Sequence, residues 1–291
     1  MLISSIHNMP DSFKLTFFGD DQEGNEAKAH DKFTQCISGI VSDPLNYAIH
    51  MGDACDAFWY DDYRYDPDIT YVSPLEQLES EKKQLKPLAE TGRLLSILEG
   101  NHERALNKTV GKFADKLAQE LREFNTVNEY PLAGTFAQKL EFYGTDKRLM
   151  FKIYVTHGRK SISSVSPDPI RREAYKRYRL QLLLKDKSGD CICMVRGHSH
   201  LVLVAPPIPT LYLYSAGGKI KQGYTSVGKG SSSDLIPPEN RFYGCSGSFL
   251  RTQLVGKTTY SEVSEMNPVE IGYLEGTVKD RQFVDLKEVK L

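Results

Sequence analysis

Phe13-Lys14-Leu15-Thr16-Phe17-Phe18-Gly19-Asp20-Asp21-Gln22 is a mainly apolar run that stops at a glycine and is followed at once by two carboxylates and an amide. A short apolar stretch rich in aromatic and β-branched residues reads as a buried strand, and the glycine as the turn that ends it. The same form recurs four times. Residues 47–51 run into Gly52-Asp53-Ala54-Cys55-Asp56, 94–98 into Gly100-Asn101-His102-Glu103, 149–155 into His157-Gly158, and 191–195 into Gly197-His198-Ser199-His200. Helical patterns over 25–41, 75–89, 110–124 and 169–184 lie between them, and strands alternating with helices predict an α/β fold. Polar residues on loops at strand ends are where open α/β sheets place their sites. A further strand is expected at 211–214, and strand-like pieces such as 282–284 in the tail.

Each segment also has an ordinary reading. Gly-Asp after a strand is commonly a turn, because Gly permits unusual φ and Asp bonds nearby amides. His198 and His200 could be surface histidines on an extended segment, and His50, inside an apolar run, reads as structural. Yet His102, His157, His198 and His200, four of the seven histidines, fall inside the five segments. Carboxylate, amide and imidazole together suit cations such as Mn, Fe or Zn, and no thiolate joins them. Two such cations about 3.5–4 Å apart are a recurring device for cleaving phosphate esters at neutral pH.

Taken in order, the five segments resemble the calcineurin-like metallophosphoesterase family, whose pattern is Asp-x-His, Gly-Asp-x-x-Asp, Gly-Asn-His-Glu, His and Gly-His-x-His. The match runs from Asp20 to His200, and Gln22 stands where most members carry His. The resemblance implies a sandwich of two mixed β-sheets flanked by helices, as a single domain over 1–291 in which 201–291 completes the second sheet. It implies one metal held by Asp20, Gln22, Asp53 and His200, and another by Asp53, Asn101, His157 and His198, with a hydroxide bridging the pair. His102 would protonate the leaving group and Asp56 would orient and charge-stabilise that imidazole. A neutral amide is a weaker donor than imidazole toward Zn, so two divalent ions with Mn foremost are expected, with Fe, Zn or Ni as alternatives.

The substrate is less legible. Phosphoprotein phosphatases of this family normally carry Arg after the last Asp of the second segment, whereas Ala57 stands here. Arg104, Arg159 or Lys160 could hold phosphate instead, or could be ordinary exposed charges. The aromatic stretch 58–65, with Tyr60, could stack nucleobases or bury its loop against the core. The basic stretch 171–179 could follow a phosphate backbone or be a solvated helix face. The favoured reading is a phosphodiesterase or nuclease. The alternatives are a phosphomonoesterase or protein phosphatase, a nucleotide pyrophosphatase of the kind that also carries Gln in the first segment, and, from another class, a non-catalytic metal-binding scaffold. The stretch 104–156 is also similar to nuclease-like phosphoesterases of phages.

Composition sets the outer bounds. With 291 residues, 40% hydrophobic and 26% charged, the chain has material for a sizeable core. A net charge of -1 gives no general attraction to nucleic acid or an anionic membrane. No stretch approaches a membrane span and no secretory leader is evident, so a cytoplasmic location is expected. Five cysteines, an odd number, suit a reducing compartment, and Cys191-Ile192-Cys193 lacks the second pair a zinc site needs. A homodimer is compatible with the family, and Ser231-Ser232-Ser233 reads as a loop.

Overall fold

The computed structural model describes residues 1–291 other than 63, 64, 71, 109, 110, 226–234 and 264, with Tyr260 described by its backbone alone. The expectations at Tyr63, Arg64, Val110 and Ser231-Ser232-Ser233 therefore lie outside the described residues.

Two six-stranded mixed sheets form the body. In the first, β1 (Leu2–Met9) runs parallel to β6 (Ala137–Gly144), and β6 antiparallel to β7 (Leu149–Thr156). β8 (Cys193–Arg196) lies parallel to β7 and to β12 (Phe242–Ser246), which takes β9 (Val202–Ala205) antiparallel at the edge. In the second, β2 (Phe13–Phe18), β3 (Asn46–His50), β4 (Leu94–Ile97) and β5 (Leu132–Ala133) are parallel in succession. β13 (Gly272–Lys279) and β14 (Gln282–Lys290) extend this sheet antiparallel from β2. Residues beyond 200 thus give two strands to each sheet.

The two-residue period of the strands builds the layers. Phe13, Leu15 and Phe17 of β2 join Phe151, Ile153 and Val155 of β7 in one core, and Cys193 and Val195 of β8 join it too. Phe18 and Ala48 point the other way, toward Phe33, Cys36 and Ile40 of α1 (His30–Ser42) and Leu85 and Leu88 of α2 (Pro74–Glu90). After α3 (Asn101–Leu106), α4 (Phe113–Arg122) covers the same face with Leu117 and Leu121. The outer face of the first sheet, with Tyr154, Met194 and Tyr243, is covered by Leu180 and Leu184 of α5 (Pro169–Leu184). The result is a mixed α/β fold of two large sheets flanked by helices.

Three local differences from the sequence reading have physical causes. The first helix starts at His30, not at 25, because Asn25 turns the chain, its Oδ1 accepting from Ala27 N at 2.9 Å, and Lys28 forms an isolated bridge with Leu250. The 211–214 strand exists as β10 (Leu211–Ala216), but it pairs only with β11 (Lys219–Tyr224) as a separate hairpin. Helix α2 is more sharply begun than its periodicity suggests, since Ser73 and Glu76 close a capping box. Among the described residues no helix is long and apolar enough to cross a membrane.

Candidate metal centre

β2, β3 and β4 are parallel, as are β7 and β8, so the five segments leave their sheets at strand C-termini. Short bonds knit the loops together. Asp20 N donates to Gly52 O at 3.0 Å, Gln22 N to Asp53 O at 3.1 Å, and Leu98 N to His50 O at 2.9 Å. Across the sandwich His157 Nδ1 donates to Met51 O at 2.9 Å, and His198 N donates to Asp20 Oδ2 at 2.9 Å. The Asp20 carbonyl accepts from Ser248 Oγ at 2.8 Å and Phe249 N at 3.2 Å.

Among the described residues, Asp53, His157 and His198 bring ligand atoms within 4.8 Å of one another. Asn101 joins them, its Oδ1 3.0 Å from His157 Nε2, which is itself 3.1 Å from Asp53 Oδ2. Asp20 and His200 form an adjacent pair, Oδ1 to Nε2 at 3.3 Å. Gln22 is buried beside them and tied through its backbone to Asp53. Asp20, Gln22, Asp53, His198 and His200 all have positive φ, between 48° and 69°. Non-glycine residues there cost of order 1–3 kcal/mol each, and such outliers gather at functional sites.

The donors suit a cation. Since a carbonyl can only accept, His157 Nδ1 carries the hydrogen and Nε2 turns its lone pair or second proton inward, the orientation that ligating imidazoles adopt. Asp53 Oδ2 is buried and is met by the His157 ring at 3.1 Å and the His102 ring at 3.8 Å, contacts that a cation would replace. Burial would raise the Asp53 carboxyl, but the charges of His157 and His102 hold it far below the usual range. Burial alone would lower His157, yet Asp53 brings it to about 9, so a proton and a cation compete for the same nitrogen. His198 is pushed down to about 4 by burial and by His157, which leaves it neutral and able to ligate.

A second cluster, Asp21, His50 and Glu81, is differently filled. Lys28 Nζ sits among these carboxylates, 2.9 Å from Asp21, 2.9 Å from Glu23 and 3.0 Å from Glu81, so an ammonium takes the place of an ion. His50 Nε2 lies 2.8 Å from Asp21 Oδ1, and its Nδ1 accepts from Gly52 N at 3.2 Å. This buried network takes in Asp21, next to Asp20, and Gly52, next to Asp53. His50 is structural, as its place inside an apolar run implies, whereas Lys28 lies within the 25–41 helical pattern and nothing in that pattern marks it.

His102 lies at the edge of the cluster, its Nε2 3.8 Å from Asp53 Oδ2. Its Nδ1 donates at 2.7 Å to the backbone carbonyl of Asp56, whose carboxylate stands 3.8 Å away and accepts from Thr70 Oγ1 and Asn25 Nδ2. Phe58 stacks on the His102 ring, centroids 4.6 Å apart. Glu103 links two loops, with Oε2 accepting from Gly100 N and Asp53 N and Oε1 from Cys55 N. Burial and the Asp53 charge raise its carboxyl to about 7.

The suggested phosphate contacts are more dispersed. Arg104 is ion-paired with Glu99 at 2.8 Å, Arg159 is exposed, and Tyr60 is 76% exposed on the aromatic loop. On α5, Lys176 pairs with Glu173, while Arg172 and Arg177 bond backbone carbonyls.

No family model matches the sequence, and no curated protein matches it. Two solved structures show weak likeness. A protein of unknown function, AQ665 from Aquifex aeolicus, aligns over 64% of this chain and 79% of its own at 14% identity, with a TM-score of 0.27. The NAD nucleotidase NadN of Haemophilus influenzae aligns over 95% of this chain at 10% identity, with a TM-score of 0.36, and this chain spans 49% of its length. Neither likeness is strong enough to assign a family.

Proposed function

We propose that residues 1–291 form one catalytic unit, a metal-dependent phosphoesterase of the calcineurin-like kind acting as a phosphodiesterase. The observation that carries this is the buried cluster in which Asp53 Oδ2 meets His157 Nε2 at 3.1 Å, with His198 and Asn101 bringing further donor atoms to the same place. Asp53, Asn101, His157 and His198 would hold one divalent cation, and Asp20, Gln22, Asp53 and His200 a second, with Mn the preferred ion. Such cations, when bound, supply charge stabilisation at phosphoryl oxygens and a nucleophile at neutral pH.

The chain's own part is proton delivery and exclusion of water. His102 keeps Nδ1–H on the Asp56 carbonyl in both protonation states, so only Nε2, on the Asp53 side, loads and releases a proton. Phe58 covers one face of the ring. His102 therefore acts as the acid for the leaving oxygen, and Asp56 as its anchor through the carbonyl. Hydrolysis of bis-p-nitrophenyl phosphate and p-nitrophenyl phosphate by metal-stripped protein re-supplied with Mn, Zn, Ni or Mg tests the proposal. We expect Mn-dependent, diester-selective turnover that falls about 10²–10⁴-fold in His102→Ala with metal content unchanged. Full activity in that variant removes His102 from the acid role, and silence on both esters with metals bound sinks the hydrolase reading.

A further inference from the structure

A cavity of about 280 Å³ opens beside the candidate centre, lined by Phe58, Trp59, Tyr60 and Tyr65 with Ser73 and Glu76 at the start of α2. Phe58 is shared: one ring stacks on His102, 4.6 Å between centroids, and also walls the cavity. The cavity thus begins one ring away from the group that serves the leaving oxygen. Trp59 and Tyr60 lie 6.1 Å apart and tilted by 42°, and Tyr60 is 76% exposed. Tyr60 is thus a ring offered to solvent, a stacking platform for a flat partner, whereas Trp59 is half-buried against the core.

The lining also says what does not enter. The described lining residues are mainly aromatic, and none of them is basic. Among the described lining residues the one charge is Glu76, which accepts from Ser73 N at 2.9 Å and Ser73 Oγ at 2.7 Å and keeps acceptor capacity for an amino group. The volume lies at the foot of the range for small-molecule sites, room for a nucleoside and too little for a folded peptide.

We propose that this cavity receives the nucleobase of a nucleoside phosphodiester whose phosphate meets the Asp53–His157–His198 cluster, so that the group released on the His102 side is a nucleoside and the second ester stays on the phosphate. The assignment rests on the function proposed above for the position of the phosphate, but base binding itself does not require turnover.

Trp59 is the single tryptophan of the chain, so tryptophan emission comes from a residue of the cavity wall. Full-length protein, Mn-loaded and metal-stripped, is titrated with adenosine, AMP, ribose 5-phosphate and O-phosphotyrosine while Trp59 emission is followed. The expected result is saturable change with adenosine in both forms, tighter binding of AMP in the Mn form, and no change with ribose 5-phosphate. Tyr60→Ala, an exposed position, should weaken adenosine roughly 10-fold. Absence of a saturable response to adenosine overturns the proposal, as does phosphotyrosine binding as tightly as AMP, which would make the cavity an aryl-phosphate site. Adenosine binding without hydrolysis of any ester would preserve the base site and defeat the hydrolase reading. Ester hydrolysis without adenosine binding would do the reverse.

Discussion

A methyl group at residue 100 would place its carbon 2.0 Å from Asp53 Oδ1 and 2.1 Å from Asp53 N. Both atoms are held where they are: Oδ1 accepts from His102 N at 2.9 Å and N donates to Glu103 Oε2 at 3.2 Å. Only glycine lets the third segment come this close to the second, and Gly52, at φ +94° with Gly100 Cα 2.9 Å from where its own Cβ would sit, is fixed by the same approach. Gly100→Ala should therefore displace Asp53, costing about 1–3 kcal/mol in a denaturant titration and lowering bound metal. Wild-type metal stoichiometry in that variant would show that the contact is dispensable. Lys28 is a second such point. Its fully buried ammonium serves Asp21, Glu23 and Glu81, so Lys28→Met should destabilise by about 3–5 kcal/mol at neutral pH, because it leaves carboxylates buried without their cation. A denaturation midpoint within error of wild type would contradict that account. The segments that bear ligand-type residues were legible because each follows an apolar run. Lys28 was not, since nothing local marks a lysine that is matched by carboxylates from residues 21, 23 and 81.

The elements were read with uneven success, and the reason is burial. β2 and α5 have the bounds their patterns imply, Phe13–Phe18 and Pro169–Leu184, because an unbroken apolar run or a clear helical period leaves few choices. β6 went unread: buried and half-exposed residues alternate along it, and Gln138, one of the buried positions, is polar and satisfied by Ser96 and Ser4. Partner strands can thus bury a side chain that looks solvent-facing in the sequence. Asp56 adds a contact that its residue type does not announce, since its backbone carbonyl accepts from the His102 ring at 2.7 Å while its carboxylate stands 3.8 Å away. The β10–β11 hairpin was legible as strand but not as a separate ribbon. At its base Thr225 N donates to Thr210 O at 3.0 Å and Thr210 N to Thr225 Oγ1 at 2.9 Å. Replacing 211–224 by a short glycine turn should then leave the melting temperature and metal content unchanged, and a large fall in either would show that the ribbon supports the body.

At the scale of the whole molecule, the five segments end at His200, but the framework does not. β12 lies between β8 and β9, and β13 beside β2. A chain ending at residue 200 keeps all five segments, yet we expect it to show no cooperative unfolding and no stoichiometric metal binding, which calorimetry and metal analysis would check. A two-state melt from that fragment would overturn the expectation. The order of synthesis gives these pairings a further meaning. Phe17 pairs with Leu274, about 250 residues later, a delay of roughly 12–50 s at ordinary ribosomal rates. Meanwhile Asp20 lacks the grip of Ser248 and Phe249 on its carbonyl. A nascent chain therefore displays all five segments long before it has a place to hold them, and we expect any ion that the proposed centre binds to be acquired after the last strands have left the ribosome.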